Sequence, residues 1–147
     1  MTMNATILRF GYPDTLIAAY RHWVVLLRPD QPTLGSLVLA AAGEARAFAA
    51  LPAEAFAELR AVVGDIETVL SEAVGYEKIN YLMLMMVDPH VHLHVIPRYE
   101  GSREAEGVTV PDAGWPRVPQ LGEALTLDPA QIAALGGWLR SKWPVAG

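Results

Sequence analysis

The chain contains no cysteine. That absence removes thiol nucleophiles, cysteine-ligated zinc and any disulfide framework, and it suits a reducing compartment, so a cytoplasmic location is expected. Long apolar runs are missing as well: none approaches the roughly 20 residues of a membrane span, and the opening Met1-Thr2-Met3-Asn4-Ala5-Thr6-Ile7 lacks the basic-then-apolar order of a secretory signal. Neither a membrane anchor nor export is expected. Positive charge is in deficit, with 11 Lys and Arg against 16 Asp and Glu for a formal net charge of -5. A negative surplus disfavours broad binding along a nucleic-acid backbone but leaves room for a small phosphorylated ligand held by a few placed groups. The expected partner is therefore a small molecule.

Histidine is also scarce, and its distribution is far from uniform. Of only 4 histidines, three fall at His90, His92 and His94 in the run His-Val-His-Leu-His-Val-Ile-Pro-Arg. Successive side chains of an extended strand alternate between faces, so the three imidazoles project to one side and Val91, Leu93 and Val95 to the other. One face packs and the other is available for chemistry. His92, on the open face, is expected to be removable without opening a cavity.

At 147 residues the chain has the size of one domain able to bury a core without staples. Thr6 to Phe10 reads as a short strand broken by Gly11, Tyr12 and Pro13, and Trp23 to Leu27 as a second. Arg28-Pro29-Asp30-Gln31-Pro32 forms a loop. Gly35 opens a further strand, Ser36 to Ala41, antiparallel to the one before it. Phe56, Leu59, Val63, Ile66, Leu70 and Ala73 recur at helical spacing and predict a helix from about Pro52 to about Ala73, stopped by Gly75. The apolar run Tyr81 to Val87, within Lys78 to Val87, predicts a buried central strand, with Met83, Met85 and Met86 filling core. Asp88-Pro89 turns the chain into the histidine strand, His90 to Ile96, which Pro97 closes. Residues 99–121, rich in Gly, Pro and charge, read as a long surface loop. A last helix, about 128–141, has Asp128 as N-cap, Pro129 in its first turn and an apolar stripe of Ile132, Leu135, Trp138 and Leu139. Strands and helices without regular βαβ alternation predict an α+β domain with an antiparallel sheet.

A neutral imidazole carries a lone pair on one nitrogen and a proton on the other, so it can attack phosphorus or pass a proton to a leaving group. Three close imidazoles also cannot all be protonated cheaply, and at least one is expected to stay neutral. The competing reading is a metal site, since alternate strand histidines present nitrogen ligands well. It would require further ligands, and Asp88 is the nearest carboxylate. The third reading is a strand whose polar residues merely face solvent.

His90-Val91-His92-Leu93-His94-Val95-Ile96 resembles the His-apolar-His-apolar-His-apolar-apolar signature of the histidine triad (HIT) superfamily of nucleotide hydrolases and transferases. Pro89 before it, Pro97-Arg98 after it, Lys78-Ile79-Asn80 and Gly35 are similar to their family counterparts, so the likeness covers about 6–98. The resemblance implies a two-layer α+β fold, with an antiparallel sheet, a long helix on one face and a C-terminal helix. It also implies a homodimer without cofactor or metal, and hydrolysis or transfer at the α-phosphate of a nucleotide conjugate, such as a dinucleoside polyphosphate or an adenylyl-linked molecule. His92 would be the nucleophile that forms a nucleotidyl-histidine, His90 would orient it, and His94 would contact phosphate and the leaving-group side. A nucleotide-binding or signalling protein without efficient turnover is the alternative.

Two departures fall where substrate would be recognised: Ser36 follows Gly35 where many members have a further histidine, and Met86-Val87-Asp88-Pro89 is shorter than the usual loop before the triad. Substrate-binding candidates are Asn80, Arg28 and Ser36, with a structural role for Asn80 as the alternative. His22 reads as a packing or surface residue. Trp115 and Trp143 are candidates for contact with a dimer partner.

Overall fold

Apolar side chains on both faces of Trp23–Leu27 (β2) and Leu37–Ala41 (β4) leave these strands no exposed side, and both are buried throughout. They pair antiparallel, from Trp23 opposite Ala41 to Leu27 opposite Leu37, and form the middle of a five-stranded sheet. The computed structural model describes residues 3–144. Leu16–Ala19 (β1) extends the sheet beside β2; His92–Arg98 (β6) pairs with β4, and Lys78–Leu82 (β5) pairs with β6 at the far edge. All four pairings are antiparallel, and the chain is α+β as its element order predicts.

One face of the sheet, carrying Trp23, Val25, Leu27, Leu37, Leu39 and Val95, is closed by the 22-residue helix Ala53–Val74 (α2) and by Pro129–Lys142 (α3). The period predicted for α2 is observed, but the phase is rotated. Ile66 and Leu70 are buried as expected; Ala55, Val62, Val69 and Val74 complete the stripe, and Phe56 is 41% exposed against Phe48. The helix has apolar residues around much of its circumference, so the sheet decides which of them face inward. Gly75 caps α2 at φ 57 in the left-handed region. Gly35 lies at φ 90, where a Cβ would stand 3.3 Å from Leu70 and 3.4 Å from Val74, so the β2–β4 connection can press against α2 only with glycine there. In α3, Asp128 and Gln131 form a capping box behind Pro129.

The opposite face departs from expectation. Thr6 to Phe10, expected to be a strand, instead lies in and just after the single helical segment Ala5–Arg9 (α1), capped by Asn4, whose Oδ1 accepts from Ile7 N while its Nδ2 donates to Ala41 O and Gly43 O. Five residues are too few for apolar periodicity to separate helix from strand; the N-cap asparagine was the available signal. Ile7 then covers Val24, Leu26, Val38 and Ala40.

Two further predictions are corrected. The segment from Lys78 stops pairing at Leu82 and is an edge strand, half-exposed along its length, because apolar run length says nothing about strand order. Met83 and Met85 pack partly against the core, whereas Met86 is 84% exposed. Residues 99–121 contain a hairpin, Ser102–Ala105 (β7) and Val108–Pro111 (β8), turned by Glu106 and Gly107, both at positive φ. Val108 and Val110 are buried, as is Tyr99, whose hydroxyl accepts from Leu34 N and donates to Val110 O. Asp30–Gln31 (β3) and Leu125–Thr126 (β9) form a short separate ladder. Among the described residues no helix is long and apolar enough to cross a membrane.

Candidate active site

The register of β4 on β6 puts Ala40 opposite His92 and Val38 opposite His94, so both imidazoles belong to the face that α1 covers. That face is not open. His90, His92 and His94 are 3%, 3% and 7% exposed, and Phe10 at the end of α1 lies over the latter two, its ring 5.5 Å from that of His92 and 5.9 Å from that of His94. The expectation that His92 could be removed without leaving a gap therefore fails, since α1 was not foreseen as a helix folding onto the strand.

Each imidazole has a different set of partners. His92 Nδ1 lies 2.7 Å from the backbone carbonyl of His90. A carbonyl only accepts, so the proton of His92 resides on Nδ1 and Nε2 carries a free lone pair. His94 Nδ1 accepts from Arg28 Nε at 3.2 Å. A guanidinium only donates, so the proton of neutral His94 sits on Nε2. Burial, with the Arg28 and His92 charges adding to it, pushes His94 down from 6.5 to about 4, and the ring is neutral at physiological pH. The expectation that at least one triad imidazole stays neutral thus falls on His94.

His90 points elsewhere. Its Nε2 meets Glu44 Oε2 at 2.9 Å and its Nδ1 meets Thr6 Oγ1 at 2.9 Å, while its backbone N–H donates to the same hydroxyl. The contact from His90 that fixes His92 comes from its carbonyl, and its ring ties α1 and Glu44 to the triad strand. Thr6 and Glu44 carried no sequence signal for this, being 84 and 46 residues from His90.

His92 and His94 open onto a cavity of about 390 Å³. Phe10, Pro29, Leu84, Met86 and Val87 give it an apolar wall, and Arg28, Asp30 and the Arg9–Asp88 ion pair, at 3.2 Å, its polar rim. Of the three predicted substrate-binding residues, Arg28 is brought to this cavity and the other two are not. Asn80 lines a separate cavity of about 640 Å³ beside Lys78, Trp115 and Arg117, and its Oδ1 accepts from Arg98 Nη1 at 2.8 Å. Ser36 is fully buried in the β2–β4 connection, where its hydroxyl donates to Thr33 O and its backbone N–H to Gln31 Oε1. Trp143 donates its ring N–H to Tyr20 within the chain. His22 is half-buried, with Nε2 unpartnered. Among the described residues no group of three or more His, Cys, Asp or Glu side chains could hold a metal ion.

Fold and site together define an α+β protein that presents two differently polarised imidazoles from one antiparallel strand to a partly apolar cavity. No family model and no curated protein sequence matches the chain. Solved structures do. A histidine triad protein from Marinobacter aquaeolei VT8 is 25% identical, with TM-score 0.73 over 97% of both chains. One from Bradyrhizobium japonicum is 22% identical, with TM-score 0.73 and the same coverage. A diadenosine triphosphate hydrolase from Plasmodium falciparum is 10% identical, with TM-score 0.64 over 88% of this chain and 76% of that one. These histidine triad proteins share the fold of this chain, which carries a His-apolar-His-apolar-His motif running into β6.

Proposed function

We propose that the chain is a nucleotide hydrolase or nucleotidyl transferase that works at the α-phosphate of a nucleotide conjugate through a nucleotidyl-histidine on His92. The observation that carries this reading is the 2.7 Å contact between His90 O and His92 Nδ1, which leaves the Nε2 lone pair free at the floor of the cavity. Attack forms the Nε2–P bond and breaks the bond from phosphorus to the leaving group, whose atom takes the electron pair. The resulting imidazole bears phosphorus on Nε2 and a proton on Nδ1. Its positive charge is stabilised by the His90 carbonyl. Water or another acceptor then attacks phosphorus, the pair returns to Nε2, and the acceptor's proton leaves to solvent. The apolar wall of Phe10, Leu84, Met86 and Val87 suits a planar base. The superfamily fold and its resemblance to a diadenosine triphosphate hydrolase support the same reading.

The test is mass spectrometry of a reaction with diadenosine triphosphate quenched within its first turnovers. An adduct of one adenylyl group on the peptide containing His92 is expected, and so is an unchanged rate in chelator. Turnover with no adduct on His92, or activity lost in chelator and restored by zinc, would refute the proposal. We also propose that the chain acts as a homodimer, since β5 leaves one side of a sheet edge unpaired. Light scattering at micromolar concentration should report twice the 16.0 kDa chain mass, and a stable monomer would overturn this.

A further inference from the structure

His92, His94 and Arg28 occupy successive rows of one sheet face, and the Arg28 side chain reaches across from the end of β2 to bond His94 on β6. Val24 and Ala40 share a row with His92, and Leu26 and Val38 share the next with His94. Arg28 follows Leu26 by two residues, and its N–H donates to Ser36 O at 3.0 Å, so it stands on the same face one row further on. The proposed nucleophile, a neutral donor and a cation thus line one cavity, the last two bonded to each other.

The Arg28–His94 bond also restricts what His94 can do. With Nδ1 accepting from a guanidinium, a second proton there would break the bond and set two cations face to face. The remaining proton, on Nε2, can be offered in a hydrogen bond but not transferred, because transfer would leave an imidazolate. A departing amine or alkoxide needs a proton, and this site holds none to give it. A departing phosphate leaves as a stable anion and needs only its charge met.

Arg28 is fit to meet it. Arg9 pairs with Asp88 and Arg98 with Asp112, whereas among the described residues Arg28 has no ion pair with a carboxylate. Its Nη1 donates to the backbone carbonyl of Asp30 at 2.7 Å, and the Asp30 carboxylate is turned to Thr126. Burial draws the guanidinium below its ordinary pKa, a cost that an anion beside it would relieve.

We propose that Arg28 reads the charge of the leaving group, so that this chain cleaves nucleotides whose leaving group departs as a phosphate or polyphosphate in preference to an amine or alcohol. The inference rests on the nucleotidyl-transfer reading and adds a substrate class to it. In that step the Nε2–P bond forms and the P–O bond to the leaving group breaks. The released oxygen keeps the electron pair without gaining a proton, and Arg28 and His94 Nε2–H balance its charge.

Two measurements test it. In an H92N background, where turnover is removed, calorimetry should show ADP binding about 10- to 100-fold tighter than AMP, the range for a hydrogen bond to a charged group, and R28Q should collapse that ratio towards one. In kinetics, R28Q should lower kcat/KM for diadenosine triphosphate by about 10- to 100-fold and for an adenosine phosphoramidate by less than about threefold, with R28K recovering part of the loss. An unchanged ADP to AMP ratio in R28Q, or equal losses on both conjugates, would overturn the proposal, the latter reducing Arg28 to a support for His94. Turnover of neither conjugate by the native chain would sink the nucleotidyl-transfer reading instead, and the binding ratio would then decide the role of Arg28 alone.

Discussion

Strand β6 carries two buried polar clusters on the same face, one at each end, and they are built differently. At the Arg98 end every guanidinium nitrogen finds an acceptor within the chain. Nε and Nη2 bind the two Asp112 oxygens at 2.7 and 3.1 Å, Nη1 binds Asn80 and Nη2 also reaches Arg117 O. At the His92 end the polar groups are left short: the Nε2 lone pair faces a cavity, and Arg28 lacks a carboxylate ion pair among the described residues. A buried network that satisfies itself holds structure together, whereas one left short beside a cavity keeps bonding capacity for water or a ligand.

The largest effect should come from H92N, which removes the proposed nucleophile. Turnover is expected to fall at least about a thousandfold, as for other nucleophile deletions, with AMP affinity by calorimetry within about threefold. Because His92 packs under Phe10, the variant should also lose on the order of 1 kcal/mol in urea unfolding. Near-native turnover would remove His92 from the chemistry and erase the distinction between the two ends.

At the other end, D112N should act on stability. Leaving Arg98 buried without its counter-charge is expected to cost about 3–5 kcal/mol by chemical denaturation, with kcat per folded molecule unchanged within about twofold. Normal stability together with lost turnover would show that the Arg98 network serves the site.

Acidification should separate the ends further. The pKa of His94 is about 4 in the folded chain and near 6.5 when unfolded, so between these values the unfolded state binds the extra proton and stability declines as pH falls. Urea midpoints measured from pH 7 to pH 4 should show this decline, and H94Q should flatten it. R28Q should move the acid limb of activity upward but not fully to the ordinary value, because burial is the larger cause of the shift. An unmoved limb would separate Arg28 from His94.

The smallest effect is expected for E44Q, within about two- to fivefold on kcat, since Glu44 touches only the ring of His90 and the orienting contact on His92 comes from the backbone. A loss approaching that of H92N would make the His90 ring a direct participant.

Much of this contrast was legible from residue order at the His92 end and little of it at the Arg98 end. The alternation of His92 and His94 with Leu93 and Val95 is a period-two signal carried by adjacent residues, and the strand, its faces and the candidate nucleophile follow from it. The long helix and the Asp128-Pro129 start of α3 are local in the same sense. In the sequence Arg98 stands out only as part of a motif, and Asp112 falls in a stretch whose Gly, Pro and charge mask the hairpin of Gly107, Val108 and Val110.

Local spacing by itself determined the secondary elements with strong periodicity and the placement of His92 and His94 on one face of a strand, whereas that strand runs from His92 through Pro97 to Arg98 and leaves His90 before it. Tertiary structure decided what each imidazole does. The 66-residue separation of Arg28 from His94, the 46-residue separation of Glu44 from His90 and the folding of Phe10 over the triad are contacts between elements. Their geometry depends on strand order and helix docking, which are set by burial of the whole core rather than by any short stretch of chain. Tautomer, charge and access in this site are properties of those contacts, so they emerged only when the sheet placed β2, β4 and β6 side by side.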